Sequence, residues 1–270
     1  MKTTKNYKQL LLFLEWYDKE IYQGVSEYCR EHDLSLNQNY CTRKVIPTHA
    51  KYDGIICGFT SQPSEHNAFL LNQNIPMINI DLIRKGKEIP QVLTNDYRIG
   101  VLQAQHLLLC EYKRFIYSIW REDSHPKRYE GFQDTIQKAG FKSELLVNPV
   151  SLGEHKIIDI VNSDDSPLGL ATNDMEAMFF MEIFGKHGIK IPERVGVIGV
   201  DNRLDICDFT PQAKLTSVDT NLFQLGYQAA AMLCKMLYGN KPAQNVTMIP
   251  PKGIVKRGST KMLKNVLPRK

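Results

Sequence analysis

Apolar and polar positions along this chain follow two alternating periods. Six short runs are apolar at almost every position: QLLLFL (Gln9–Leu14), YDGIIC (Tyr52–Cys57), PMINI (Pro76–Ile80), RFIYSI (Arg114–Ile119), LGLA (Leu168–Ala171) and VGVIGV (Val195–Val200). Runs of this length read as strands covered on both faces. Helical patterns lie between them. Ile21–Arg30 places Ile21, Val25 and Tyr28 on one face, and Asp96–Cys110 turns Val101, Leu102, Leu108 and Leu109 inward. Arg128–Ala139 stops at Gly140, Asp174–Lys186 at His187-Gly188, and Asn221–Tyr238 at Gly239-Asn240. Val246–Ile249 and Gly253–Arg257 are two late strands. Strand and helix in alternation predict an α/β protein with doubly wound parallel sheets. Such sheets bind ligands beyond the carboxyl ends of their strands.

The residues at those strand exits share a chemistry. Glu15 and Trp16 follow the first strand, and Asp81 follows PMINI. Trp120, Arg121 and, a little later, Arg128 follow RFIYSI. Thr172, Asn173 and Asp174 follow the LGLA strand, and Asp201 and Asn202 follow VGVIGV. Carboxylates and an amide bond vicinal hydroxyls, and arginine donates in a fork. An indole face covers the C–H side of a sugar ring. The set suits a polyhydroxylated ligand. Each member also has a purely structural use: Asn173 or Asp174 as a helix N-cap, Asp201 as a turn cap, the tryptophans as packing, Arg128 as a solvated helix residue.

Other chemistry finds no support. G-x-S-x-G, the phosphate loop G-x-x-x-x-G-K-[ST], H-E-x-x-H and a dinucleotide G-x-G-x-x-G are all missing, so the chain reads as no enzyme and as needing no cofactor. The seven histidines and six cysteines have no metal-ligand spacing; the histidines read as surface or helix-end residues and the cysteines as reduced core thiols. The lysine-rich start before QLLLFL resembles a secretory signal only superficially, because Glu15 and Asp18 follow at once and no small-x-small cleavage site appears. A cytoplasmic protein is expected, and no run is long enough to span a membrane. The net charge of +5 divides unevenly. Residues 1–8 and 251–270 hold ten basic and no acidic side chains, which leaves 24 basic against 29 acidic in the body. A body of that sign matches a phosphate backbone poorly.

Several longer stretches resemble one family. TNDYRIG, PKRYEGFQDTI, GLATNDMEAMFFMEIFGKHGIKIPERVGVIGVDN, LTSVDTNLFQLGYQAA and IPPKGIVKRGST are similar to the effector-binding domain of LacI/GalR-type transcription regulators, from about Tyr7 to Thr260. YDKEIYQGVSEY and PPKGIVKRGST look like the xylose-operon activator branch, in which an AraC-like pair of helix-turn-helix motifs follows the effector domain. The resemblance implies a type I periplasmic-binding-protein-like fold: two lobes joined by three crossovers, with a monosaccharide, a xylose-like pentose favoured, in the cleft and switching by lobe closure. It implies one lobe of residues 1–94 plus 219–244, a second of 95–218 plus 245–260, and a basic tail 261–270 as a linker stub toward a DNA-binding domain. Asp201 matches the family's sugar-binding aspartate, Arg128 the arginine that reaches across the cleft, and Asn173 the ligand-facing asparagine. Thr220, with Asp219, lies at a crossover beside the cleft, and Asp81 falls where some relatives place an acidic contact. A sugar effector and a homodimer are the implied partners, with DNA reached only through a domain outside this chain. The alternative is an exported solute-binding protein for sugar transport.

Overall fold

Successive residues of the first strand, β1 (Gln9–Phe13), enter two different cores. Leu10 and Leu12, with Leu14 beyond the strand, pack with α1 (Lys19–Glu31) and α10 (Leu222–Leu237), whereas Leu11 and Phe13 pack with Tyr40, Phe59 and Leu70 on the opposite face. A strand with helices on both sides has no solvent face, which is why its sequence is a continuous apolar run. The computed structural model describes residues 7–16, 18–47, 51–81, 88–121, 125–240 and 244–261.

The chain forms two units. One holds residues 1–94 and 221–249, the other 95–220 and 250–270, so the chain passes between them three times. The first unit carries a parallel sheet of six strands. With β2 (Ser35–Asn37), β3 (Gly54–Cys57), β4 (Met77–Asn79), β5 (Gln91–Thr94) and β11 (Val246–Ile249), the order is β11-β5-β4-β3-β1-β2. Two further helices, α2 (Asn39–Arg43) and α3 (Glu65–Leu71), follow β2 and β3.

The second unit repeats the plan. Its strands are β6 (Arg114–Ile119), β7 (Ser143–Val147), β8 (Leu168–Ala171), β9 (Val195–Val200), β10 (Thr216–Asp219) and β12 (Gly253–Val255), in the order β12-β10-β9-β8-β6-β7. Only β12 runs antiparallel to its neighbour. The helices α4 (Asp96–Leu109) and α5 (Pro126–Lys138) cover one face; α7 (Glu154–Asn162) and α8 (Asp174–Lys186) cover the other. The short α6 (Pro149–Leu152) precedes α7, and α9 (Leu204–Cys207) follows β9.

Each unit closes one face with a helix pair that crosses at glycines. In the first, a Cβ on Gly24 of α1 would collide with the Phe223 carbonyl of α10, and a Cβ on Gly226 with the Ile21 carbonyl of α1. In the second, Gly100 of α4 meets the Arg128 carbonyl of α5, and Gly131 meets the Tyr97 carbonyl. Only glycine lets two helix backbones approach this closely.

Three expectations change. The resemblance puts residues 245–260 in the second lobe, yet β11 pairs with β5 from Val246↔Gln91 to Ile249↔Thr94 and buries Ile249 in the first unit's core. Residues 219 and 220, expected in the first lobe, stay in the second unit. In α4 the inward face is one residue off the predicted set: Ile99, Gln103, Ala104, His106 and Leu107 are buried, and Leu109 is exposed. Beyond Asp96 in its first turn, two inward positions are polar there, and their partners are internal. Gln103 Nε2 donates to the Thr172 carbonyl at 3.0 Å, and His106 Nε2 lies 2.8 Å from Thr260 Oγ1. Beyond Lys261 the expected linker stub lies outside the described residues.

Candidate functional site

In the first unit, Glu15 and Trp16 stand just past the carboxyl end of β1. The Trp16 ring lies over Gly58, where a Cβ would come within 2.6 Å of its Cη2. The indole is 38% exposed. Glu15 Oε1 accepts from the Tyr40 hydroxyl at 2.8 Å and faces His66 Nδ1 at 3.4 Å. Lys44, in left-handed backbone at the end of α2, donates to the carbonyls of Leu14 and Glu15. Phe13 stacks on Tyr40 (3.8 Å between centroids) and on His66 (4.5 Å).

His66 is therefore a core residue, not the surface histidine the sequence suggests. Its Nε2 lies 2.6 Å from the Gly58 carbonyl, which only accepts, so Nε2 carries a proton. Burial holds its pKa below the ordinary histidine value. Asp81 is fixed through its backbone: its N–H donates to Asn79 Oδ1 at 3.0 Å, and its carbonyl accepts from Asn79 Nδ2 and Gln91 Nε2. It follows β4 on the same sheet edge as Glu15 and Trp16.

In the second unit, Arg128 is 6% exposed. Its Nε and Nη2 donate to Asp96 Oδ1 at 3.2 and 2.7 Å, and His125 Nδ1 lies 2.8 Å from Asp96 Oδ2. Burial works against both charges, but the pair wins. The Arg128 charge and the hydrogen bonds of His125 and Arg128 hold Asp96 well below the usual carboxylate range, while Asp96 and Asp201 hold Arg128 charged. Arg128 is thus a buried, paired cation rather than a solvated one.

Asp201 leaves β9 with φ 98°, and Asn202 follows at φ 55°. Two consecutive left-handed residues without glycine are strained, at roughly 1–3 kcal/mol each, and such strain concentrates at ligand clamps. The turn is held at several points: Asp201 N–H donates to the Val218 carbonyl at 2.9 Å, and Asn202 N–H to Ser217 Oγ at 3.0 Å. Thr220, buried, donates to Asp201 Oδ1 at 3.3 Å. Asn173 caps α8, its Oδ1 accepting from Glu176 N–H at 2.9 Å. Its structural use is real, and it occupies only the oxygen of the amide. Trp120, at the end of β6, is 38% exposed and lies 6.1 Å from the Phe179 ring.

Two buried carboxyls lie behind this edge, Asp174 from the strand-exit set and Glu176, which no sequence pattern marks. Asp174 accepts from Ser217 Oγ (2.6 Å) and Arg203 N–H (2.8 Å), and burial with the neighbouring Asp201 charge pushes it up to about 7. Glu176 accepts from the Thr172 hydroxyl, and burial pushes it up to about 7 as well. The buried Ser118 hydroxyl also faces this carboxyl and, with Thr172, works against the upward shift. The six cysteines are free and buried. Among the described residues no group of three His, Cys, Asp or Glu forms a metal cluster, and no helix is long and apolar enough to cross a membrane.

Glu15, Trp16 and Asp81 thus share one sheet edge, and Trp120, Arg128, Asn173, Asp201 and Thr220 lie at or beside the corresponding edge of the second unit. Two parallel-sheet α/β lobes joined by three passages of chain define a periplasmic-binding-protein-like protein. Residues 104–260 match the periplasmic binding protein-like domain, and the chain belongs to that family. The xylose operon regulatory protein of Haemophilus influenzae is 23% identical over 279 residues, covering 96% of this chain and 71% of that protein. A periplasmic binding protein/LacI transcriptional regulator from Alkaliphilus metalliredigens, complexed with D-xylulofuranose, superposes with a TM-score of 0.75 at 19% identity, covering 94% of this chain and 100% of that one. The xylose-binding transcription activator xylR superposes at 0.76 with 18% identity, covering 94% and 70%.

Proposed function

We propose that this chain is the sugar-sensing effector domain of a bacterial transcription regulator of the LacI type, and not an enzyme. The observation that carries the reading is the matched chemistry of the two sheet edges. Each presents a partly exposed indole and an acidic residue at strand ends, Trp16 next to Glu15 after β1 in one unit, and Trp120 after β6 with Asp201 after β9 in the other. A monosaccharide held by both edges uses the carboxylates as acceptors for its hydroxyls, the Asn173 amide as a donor and the indoles as covers. A xylose-like pentose is the favoured ligand, because the relatives above include a xylose operon regulator and a xylose-binding activator.

Binding both edges favours a closed arrangement by the affinity difference between closed and open forms. A nearly complete population switch needs about 5.5 kcal/mol. Two or three charged hydrogen bonds formed on closure, at roughly 1.5–3 kcal/mol each, supply that. A homodimer would pass closure to DNA through a domain outside this chain. Six buried free thiols suit a reducing cytoplasm.

The test is a panel of D-xylose, L-arabinose, D-ribose, D-xylulose and D-glucose read by thermal shift and calorimetric titration. A saturable rise in melting temperature with a pentose, larger than with glucose, is the expected result. A flat response to every sugar overturns the reading.

A further inference from the structure

The stretch PPKGIVKRGST contains a partly buried arginine that the sugar site does not use directly. The Arg257 side chain is 11% exposed, and its fork points inward. Nη1 donates to the Leu215 carbonyl at 2.8 Å and Nη2 to Asn202 Oδ1 at 2.7 Å; Nε lies 3.9 Å from Asp208 Oδ1. Asn202 is the second residue of the strained turn that presents Asp201. The arginine is itself anchored through one hydroxyl: Thr216 Oγ1 accepts from Arg257 N–H at 2.9 Å and donates to the Arg257 carbonyl at 3.2 Å.

The following residues continue the attachment. Ser259 Oγ donates to the Val197 carbonyl at 2.6 Å and accepts from Thr216 N–H at 2.8 Å. Thr260 Oγ1 lies 2.8 Å from His106 Nε2, and Lys261 N–H donates to the Tyr112 hydroxyl at 3.1 Å. The segment 257–261 is stitched to β9, β10 and α4, and one side chain joins it to the turn that carries the ligand carboxylate.

We infer that Arg257 is a positioning residue: its fork locks the Asp201–Asn202 turn in the geometry that meets the ligand and links ligand engagement at Asp201 to the ordering of residues 257–261. This rests on the reading of Asp201 as a sugar contact. A planar fork reaches two acceptors in fixed directions, which the single ammonium of lysine does not. A tether of this kind is reciprocal. Ligand that fixes the turn also fixes the segment, and loosening the segment weakens the ligand.

Amide hydrogen exchange in the ligand-free protein tests the tether without any sugar. In Arg257→Lys the Asp201 and Asn202 amides should exchange about tenfold faster, while the Leu11 amide of the first unit is unchanged. Asn202→Gly keeps a residue at ease with φ 55° but removes the acceptor of Arg257 Nη2, so its ligand-free melting temperature should fall only modestly, and binding is compared well below that temperature. In both variants the Kd for D-xylose or D-ribose, whichever the parent binds, should rise about tenfold. Saturating sugar should slow exchange of the Lys261 amide in the parent and leave it unchanged in Asn202→Gly. Unaltered exchange at Asp201 and Asn202 in Arg257→Lys overturns the tether whatever the sugars do. A Kd in Asn202→Gly equal to the parent's overturns the positioning role. A parent that binds neither pentose overturns the sugar reading, and the exchange measurement still decides the tether.

Discussion

The guanidinium of Arg128 and the carboxylate of Asp96 form an ion pair at 2.7 Å with both side chains almost wholly out of solvent. Removing one partner strands the other. Breaking a buried pair in this way costs about 3–5 kcal/mol, because the remaining charge is desolvated without compensation. Asp96→Ala should therefore lower the stability of the second unit by about that amount in urea denaturation. Asp96→Ala combined with Arg128→Met should recover part of the loss, since no unpaired charge remains. A double variant as unstable as the sum of the singles would show that the pair has no coupling.

The helix crossings predict damage confined to one unit at a time. A methyl on Gly226 meets the Ile21 carbonyl, and one on Gly131 meets the Tyr97 carbonyl. Backbone cannot step aside as a side chain can, so overpacking should cost at least about 1–3 kcal/mol. By differential scanning calorimetry, Gly226→Ala should lower the transition of the first unit and Gly131→Ala that of the second. The exposed Gly140 has φ 84° and nothing near a Cβ. Gly140→Ala should cost only backbone strain, roughly 1 kcal/mol.

Much of this architecture is legible in the sequence for one reason: strands covered on both faces are apolar throughout. β6, β8 and β9 appear with their observed limits. The edge strands β2 and β7 face solvent on part of their length and carry Ser35, Asn37, Ser143 and Glu144, so no apolar run marks them. β10 is hidden for the opposite reason. Thr216 and Ser217 are fully buried, and their hydroxyls bond Arg257 and Asp174, but as residue types they read as loop.

Gln103 and His106 disguise the inward face of α4 in the same way. Residue type and the expected strand ends put Glu15, Trp16, Trp120 and Asp201 just past β1, β6 and β9, and the structure has them there. Tyr40 and His66, which flank the Glu15 carboxylate, arrive from short helices with no sequence signal of their own. The left-handed backbone of Asp201 has no sequence signature either; an Asp-Asn pair after a strand is its only trace.

Glu176 gives a pH dependence with a definite sign. Its pKa is raised to about 7 in the folded protein from 4.5, so the native state binds more protons across that interval. Its favourable contribution is complete below about pH 4.5 and is lost as pH rises through about 7. Glu176→Gln cannot ionise and retains an acceptor for the Thr172 hydroxyl. The stability of Glu176→Gln relative to the parent should therefore climb between about pH 5 and pH 8, by an amount on the order of 3 kcal/mol. His106, lowered to about 4 by burial, acts oppositely and destabilises the fold as pH falls below about 6.5. Comparing variant with parent at each pH cancels that second effect. A difference that stays flat over the range would mean that Glu176 is already ionised in the fold.

Asp201 separates stability from function. Its φ of 98° lies where a Cβ is strained and glycine is not. Asp201→Gly releases that strain, roughly 1–3 kcal/mol, but strips the buried Thr220 hydroxyl of its acceptor and Arg128 of a nearby charge, so the ligand-free stability should stay within about 2 kcal/mol of the parent. The same change removes the carboxylate that accepts from Thr220 and, on the reading above, from a sugar hydroxyl. A charged hydrogen bond is worth about 1.5–3 kcal/mol, so pentose Kd should rise by roughly 10- to 150-fold. Asp201→Asn keeps the shape and an acceptor oxygen but not the charge, and should fall between parent and glycine variant in affinity. Melting temperature and calorimetric Kd measured on the same samples check both halves. If Asp201→Gly lost affinity only in proportion to a loss of stability, Asp201 would be a structural cap of its turn and not a ligand contact.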